Sequence, residues 1–475
     1  MQIEDFRRHA HRLVDWMADY LAEVERYPVR SQQPPGALLA RLPAAAPDAG
    51  EPMERIFEDF QQLILPGITH WQHPRFFAYF PANSSPPAVL AEMLTATLAA
   101  QCMLWETSPA AAELEARMMQ WLRALIGLPE AFVGSIQDSA STATLLALIA
   151  ARERASGGRA AQSGLAAAPP LTLYTSTEAH SSVEKAARIA GIGAQYVRAV
   201  AVDADFALDP DGLRAAIRKD RAAGLIPACI VGSFGATGVG AIDPIAALGE
   251  IAREEDLHLH VDAAWAGSAL VLPEVRSLLG GLERVDSFVF NPHKWLLTNF
   301  DCSAFFMRDP ARLARALSLT PTYLESRATG LPEYRDWSVA LGRRFRALKL
   351  WFVLRSYGRD ALQGMIRRHL EWTRRLAGLI RGDPRFELVT GPKLALLTFR
   401  LRAPDGETSA GQLDALNERL LQQLNDGGRL YLTRTRVRDA LVIRFVIGQT
   451  YTEWHHIEEG WCAVQEEAAR LLGSR

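Results

Sequence analysis

The chain has 475 residues, 49% of them hydrophobic and 22% charged, with a formal net charge of −2 at pH 7. That length exceeds one ordinary core, so two or three domains are expected, and the near-neutral balance supplies no basic excess for nucleic acid or an acidic membrane surface. The four cysteines, Cys102, Cys229, Cys302 and Cys462, are scattered without metal or redox spacing, which points to a reduced, cytoplasmic protein. The start, Met1-Gln-Ile-Glu-Asp-Phe, lacks a signal's apolar core, and no apolar run reaches the roughly 18 residues of a membrane span.

Phe6, Ala10, Leu13, Met17, Tyr20 and Val24 recur at helical spacing and mark an amphipathic first helix whose stripe must be buried somewhere. A proline-rich connector over 28–52 and a helix over 53–65 come next. From about 86 to 345, helical segments alternate with short strands at 171–176, 195–200, 228–233, 257–262 and 286–290, the pattern of a mainly parallel sheet with crossover helices. Residues 155–170, rich in Ala, Gly and Ser, read as a flexible surface insertion. Beyond 346, helices at 346–356 and 411–425 mix with strands at 385–389, 394–401 and 441–447 in a smaller α+β domain. The expectation is an α/β protein with an N-terminal helical arm (1–85), a large α/β domain (86–345) and a small C-terminal domain (346–475), without internal repeats.

Gln137-Asp-Ser139-Ala140-Ser141-Thr142 puts small hydroxyl residues ahead of a helix-forming run. The first turn of such a helix offers unpaired amides and the positive end of the dipole to an anion, although an ordinary N-cap uses the same residues. His180 follows the strand-like Leu171-Thr-Leu-Tyr-Thr-Ser, and a histidine at a strand's carboxyl end is placed to stack on a ligand ring. In His258-Leu-His260-Val-Asp262 the alternation puts His258, His260 and Asp262 on one strand face. Asp262 beside a pyridine nitrogen would keep it protonated: opposite charges about 4 Å apart at an effective dielectric near 20 interact by roughly 4 kcal/mol, about three pK units. The same face could instead ligate zinc or iron, which leaves Lys294 unexplained.

Lys294 ends the β-like run Asp286-Ser-Phe-Val-Phe-Asn-Pro-His-Lys294, flanked by Phe288, Phe290, Trp295, Leu296 and Leu297. Lysine is seldom fully buried without a partner, and imine formation with pyridoxal phosphate needs the neutral amine that desolvation favours. A lysine snorkelling from a strand end is the bland counterpart. Arg444, in Leu441-Val-Ile-Arg444-Phe-Val-Ile, could preserve a substrate carboxylate as transamination requires, or serve a structural ion pair.

Together these segments resemble the group II pyridoxal-phosphate decarboxylases, and among them the aromatic-L-amino-acid decarboxylases. The likeness runs through His73-Pro-Arg-Phe-Phe-Ala-Tyr-Phe-Pro81, Ser108-Pro-Ala-Ala-Ala-Glu-Leu-Glu115, Ala179-His-Ser-Ser-Val-Glu184, His260-Val-Asp-Ala-Ala-Trp-Ala-Gly-Ser268, Asn291-Pro-His-Lys-Trp-Leu-Leu297 and Leu341-Gly-Arg-Arg-Phe345. It implies a fold type I, aspartate aminotransferase-like enzyme that uses pyridoxal 5'-phosphate, acts on a small-molecule amino-acid substrate and forms a homodimer with shared active sites, the N-terminal arm wrapping the partner. Lys294 would carry the cofactor, Asp262 would pair with its ring nitrogen and His180 would stack on its ring, with Ala264 packed beneath. Ala140, Ser141, Asn291 and His293 would hold the phosphate. Gly342 would come from the neighbouring subunit, and Tyr323 would protonate the product carbon.

Trp71, Tyr79, Phe80, Pro81, Ala82, Met103 and Trp105 fall in segments similar to the family's substrate pocket. Ala236 occupies a cofactor-contacting position where threonine is frequent, and Asp138 stands where glycine often precedes the phosphate-binding serine. Both departures predict weaker cofactor binding. The activity implied is decarboxylation of tryptophan, phenylalanine, tyrosine or DOPA to an arylalkylamine and CO2. Aminotransferase or aldehyde synthase chemistry is the alternative, a metal-dependent hydrolase using His258, His260 and Asp262 is more remote, and a cofactor-free scaffold comes last.

Overall fold

The computed structural model describes the whole chain except residues 167, 320–329, 331, 403–407 and 474–475. By compactness it forms two units, residues 82–373 with 390–397, and residues 1–81 with 374–389 and 398–475. The first 81 residues therefore group with the C-terminal segments.

The larger unit is built on a seven-stranded sheet of β1 (Val133–Gln137), β2 (Leu171–Ser176), β3 (Val197–Val200), β4 (Ile226–Ser233), β5 (His258–Asp262), β6 (Ser287–Phe290) and β7 (Ser303–Met307). Their order is β1-β7-β6-β5-β4-β2-β3. The pairs β2–β3, β2–β4, β4–β5 and β5–β6 are parallel, and β7 runs antiparallel to both neighbours. The central strands are buried along nearly their whole length, as expected of a parallel sheet covered on both faces. One cover is the helix Ala140–Ser156, whose Leu146, Ala147 and Ala150 pack with Leu173, Val231 and Val289. Small alanines let the helix lie close to the β-branched sheet surface.

Sequence pattern missed β1 and β7. The first of these, Val-Gly-Ser-Ile-Gln, is a poor strand former by composition, and a Cβ at Gly134 would lie 2.8 Å from the Phe306 ring, so that ring and the Met119 side chain would have to shift to admit it. The helix beginning at Arg346 extends to Gly382, broken at Gly358 with φ +68°. Within the expected surface insertion, Ala160–Ser163 forms one helical turn with Ala160 buried.

In the smaller unit the helix Ile3–Ala22 has no buried residue, and the expected helix at 53–65 is an α-helix (Met53–Asp59) followed by a π turn and a 3₁₀ turn. A four-stranded sheet has the order β10-β11-β9-β8, formed by β8 (Phe386–Lys393), β9 (Leu396–Leu401), β10 (Thr433–Val437) and β11 (Ala440–Val446). Strand β10 alternates arginine with threonine and has no apolar run to announce it. The helix Ala410–Asp426 starts in a capping box formed by Ser409 and Gln412, and Trp454–Gly473 ends the unit.

Candidate active site

The parallel strands deliver their carboxyl ends to one place. Segments after β1, β2, β4, β5 and β6 line a single cavity in the larger unit, where open α/β sheets bind ligands. Its walls include Ala140, Ser141, His180, Ala236, Asp262, Ala264, Asn291, His293 and Lys294. Ser139, Ser182, Ser233, Gly235, Thr237, Trp265 and Phe300 also contribute.

At one end the helix Ala140–Ser156 is capped by Ser139, whose Oγ accepts the Thr142 N–H at 3.1 Å. First-turn amides of Ala140 and Ser141 are left over by helix geometry, which suits an anion. Asp138, which stands in place of the frequent glycine, is exposed and does not line the cavity. It lies within electrostatic reach of Arg346.

The strand β5 ends in Asp262, whose Oδ1 accepts the Ala264 N–H at 3.0 Å. His180 Nδ1 accepts the Ser182 N–H at 3.1 Å and meets the Ser182 hydroxyl at 2.8 Å, an arrangement that assigns the proton to Nε2. Although His180 as a residue is solvent-exposed, desolvation of its ring lowers its pKa. Lys294 pushes the same way and Asp262 opposes. His180, Asp262 and Lys294 are thus within electrostatic reach of one another.

Phe288, Phe290, Trp295, Leu296 and Leu297 around Lys294 are buried, while Lys294 itself is half-buried and faces the cavity. Its N–H donates to the Asn291 carbonyl at 2.9 Å, and the Asn291 side chain accepts the Ser303 hydroxyl at 2.7 Å. His293 Nδ1 accepts the Cys302 N–H at 2.9 Å. Burial, reinforced by Lys294, pushes the His293 imidazole down to about 3, so it stays neutral with Nε2 protonated.

His258 and His260 are occupied differently. His258 Nε2 and His260 Nδ1 both meet the Ser287 hydroxyl, at 2.8 and 2.9 Å, deep in the sheet. Burial holds their pKa values down to about 4 and about 3. Asp262 faces the cavity instead, and among the described residues no group of three His, Cys, Asp or Glu side chains could hold a metal ion.

The remaining expected residues lie elsewhere. Trp71, Tyr79, Phe80 and Pro81 belong to the smaller unit, Ala82, Met103 and Trp105 to the larger, and none lines the cavity. Trp71 stacks on Tyr79 with centroids 5.9 Å apart, and Trp105 Nε1 donates to Glu113 at 3.0 Å. Gly342 sits against Gln101 and is not a lining residue. Tyr323 lies outside the described residues. Arg444 is buried, donates to the Thr433 hydroxyl at 2.8 Å and to the Tyr79 carbonyl at 3.4 Å, and lies over the Phe80 ring. Burial lowers its pKa to about 10.

The cavity offers amides and hydroxyls for an anion at one side, a carboxylate, a neutral histidine and a lysine. That donor set fits pyridoxal phosphate: phosphate at Ser139–Ser141, a protonated ring nitrogen at Asp262 and a carbonyl carbon at Lys294.

The pyridoxal-dependent decarboxylase conserved domain matches residues 35–402. Aromatic-L-amino-acid decarboxylase of Sus scrofa is 43% identical over 489 residues, spanning 100% of this chain and 98% of that protein. Phenylacetaldehyde synthase of Arabidopsis thaliana is 42% identical over 483 residues, 99% of this chain and 97% of that one. Among solved structures, Oryza sativa TDC with PLP and tryptamine matches with a TM-score of 0.96 at 35% identity, with 99% of each chain covered.

Proposed function

The chain belongs to the pyridoxal-dependent decarboxylase family, and from that premise we propose that it converts an aromatic L-amino acid to the arylalkylamine and CO2. The observation that carries this reading is the cavity where His180, Asp262 and Lys294 meet without an arginine among its described lining residues. A transaminase must keep its substrate's carboxylate and needs a fixed cation for it. Arg444, the candidate for that task, is engaged by Thr433 and Tyr79 within the smaller unit.

When bound, pyridoxal phosphate supplies a conjugated sink for the electron pair released as CO2 leaves. Lys294 would hold the cofactor through its amine at the cavity wall. Asp262 keeps a proton on the ring nitrogen. His180, locked by Ser182 and uncharged, offers its flat face without adding positive charge. The helix amides of Ala140 and Ser141, with Asn291 and His293, hold the phosphate. A carboxylate out of water without a partner is costly, so closing this site around substrate would favour loss of its charged carboxylate.

Tyr323 is assigned the proton donor to Cα, which decides between amine and aldehyde. The likeness to an aldehyde synthase makes aldehyde formation the second reading. The aromatic substrate class is supported by the likeness to aromatic-L-amino-acid decarboxylase, not by Trp71, Tyr79, Phe80, Pro81, Ala82, Met103 and Trp105, none of which lines the cavity.

A homodimer completes the proposal. The helix Ile3–Ala22 buries none of its residues, and Ile3 and Phe6 are 62% and 54% exposed. These surfaces suit an arm (1–85) that wraps a second copy, with Gly342 reaching the partner's site. Four free thiols, three of them buried, agree with a reducing cytoplasm. Competition among tryptophan, phenylalanine, tyrosine, DOPA, glutamate and histidine, with amine, aldehyde and peroxide all quantified, tests the reading. A preference for glutamate would remove the aromatic assignment, and aldehyde with peroxide as main products would replace decarboxylation to amine.

A further inference from the structure

The turn that carries Lys294 is gripped by a segment outside the cavity. Asn83 is 1% exposed. Its backbone N–H donates to the His293 carbonyl at 2.9 Å, and its side-chain Nδ2 donates to the Lys294 carbonyl at 2.5 Å. Ser85, fully buried, donates its hydroxyl to the Leu297 carbonyl at 2.7 Å. Leu297 stands at φ +56°, a left-handed conformation that a residue with a Cβ keeps only when its surroundings impose it. On the other side of the turn, the Cys302 N–H holds His293, and Asp301 receives Arg346 through two bonds of 2.9 and 3.1 Å.

These external bonds matter because the helical piece Pro292–Trp295 has four residues, far too few to fix its own geometry. Lysine has a long flexible stem, so the reach of its amine depends on where its peptide is anchored. Misplacing a reacting group by about 1 Å can cost on the order of a hundredfold in rate. The Asn83 side chain is bonded directly to the Lys294 carbonyl.

We propose that Asn83 is a positioning residue for the cofactor lysine, its side-chain amide fixing the Lys294 peptide from the far side of the turn while Ser85 holds the strained residue after it. The inference rests on Lys294 being the lysine that carries the cofactor.

The test uses holoenzyme carrying Asn83→Ala, Asn83→Asp or Asn83→Gln. Asn83→Asp keeps the size but replaces the donor with an oxygen facing a carbonyl, and Asn83→Gln keeps the donor. Cofactor release after gel filtration is followed by loss of the visible band of the lysine-bound cofactor, together with kcat, KM and the melting temperature of cofactor-stripped protein. Removing one buried hydrogen bond should speed release by about ten- to a hundredfold in the Ala and Asp variants. Their kcat should fall with KM held within about twofold, Gln should recover part of the loss, and the stripped Ala and Asp proteins should melt somewhat below wild type, as loss of one buried hydrogen bond requires, so release and kcat rather than stability decide.

Wild-type release and an unchanged band in Asn83→Asp, with stability alone reduced, would overturn the proposal. If Asn83→Ala does not fold, the Asp and Gln pair decides. Lys294→Ala is run in parallel. Covalent cofactor persisting in that variant removes the parent assignment, whereas its loss combined with wild-type release from the Asn83 variants removes the Asn83 proposal alone.

Discussion

Gly235 is the most constrained residue of the cavity wall, and Gly235→Ala tests how the wall is built. Its φ is +86°, and an added Cβ would lie 2.5 Å from Ala266 Cβ and 2.9 Å from Trp265 Nε1. Trp265 Nε1 already donates to the Gly235 carbonyl at 2.6 Å, so the methyl group must push the indole off its partner. The left-handed backbone costs about 1–2 kcal/mol in an alanine, the overpacking about 1–3, and a broken buried hydrogen bond about 1–3. Because these costs overlap, the sum expected is about 3–5 kcal/mol. In a unit this large that corresponds to a fall of roughly 5–10 °C in melting temperature.

Trp265 and Ala266 follow Asp262 closely in sequence, so cofactor affinity should drop with stability. Differential scanning calorimetry of cofactor-stripped protein and a cofactor titration measure the two effects, with melting temperature preferred to an extrapolated free energy because the chain has two units. A shift below 1 °C with unchanged affinity would refute the packing argument.

Asp262→Asn should lose several orders of magnitude in rate while a chelator leaves the wild-type rate unchanged, and chelator-sensitive activity would revive a metal role for β5. Acid should destabilise the protein: burial holds His73, His260, His293 and His369 down to about 3 and His258 down to about 4, whereas unfolded histidine binds a proton below about 6.5. The unfolded state therefore holds more protons between about pH 6.5 and 4, and stability falls as pH falls through that window, by about 2 kcal/mol per histidine at pH 5. A melting temperature flat from pH 8 to 5 would contradict this. Tyr323→Phe should shift product from amine toward aldehyde and peroxide, measured by chromatography and a peroxidase-coupled assay, and an unchanged amine yield would assign the proton to another group.

Much of this was legible in the chain because parallel strands are written as apolar runs. The expected strands at 171–176, 228–233, 257–262 and 286–290 match β2, β4, β5 and β6 within a few residues. Their carboxyl ends then bring His180, Asp262 and Lys294 to one cavity although they are far apart in sequence. Residues that depend on three-dimensional neighbours were not legible. Gly235 is explained only by Ala266 and Trp265, and Thr237 shares the wall with Ala236, so a hydroxyl residue stands one position beyond the expected one. Phe300 lines the cavity and lies 4.9 Å from the His293 ring, a pairing no periodicity announces. Alternation could not tell that Ser287 on the adjacent strand engages His258 and His260 while Asp262 lines the cavity. Asn83 escaped because an asparagine between Ala82 and Ser84 carries no signal until its contact with Lys294 is seen.

The central claim is that Lys294 carries pyridoxal phosphate covalently. Borohydride reduction of the purified holoenzyme, followed by proteolysis and mass spectrometry, should abolish the visible absorbance and leave the pyridoxyl mass on the peptide containing Lys294 alone. A modification on another lysine, or a visible band untouched by borohydride, would contradict it.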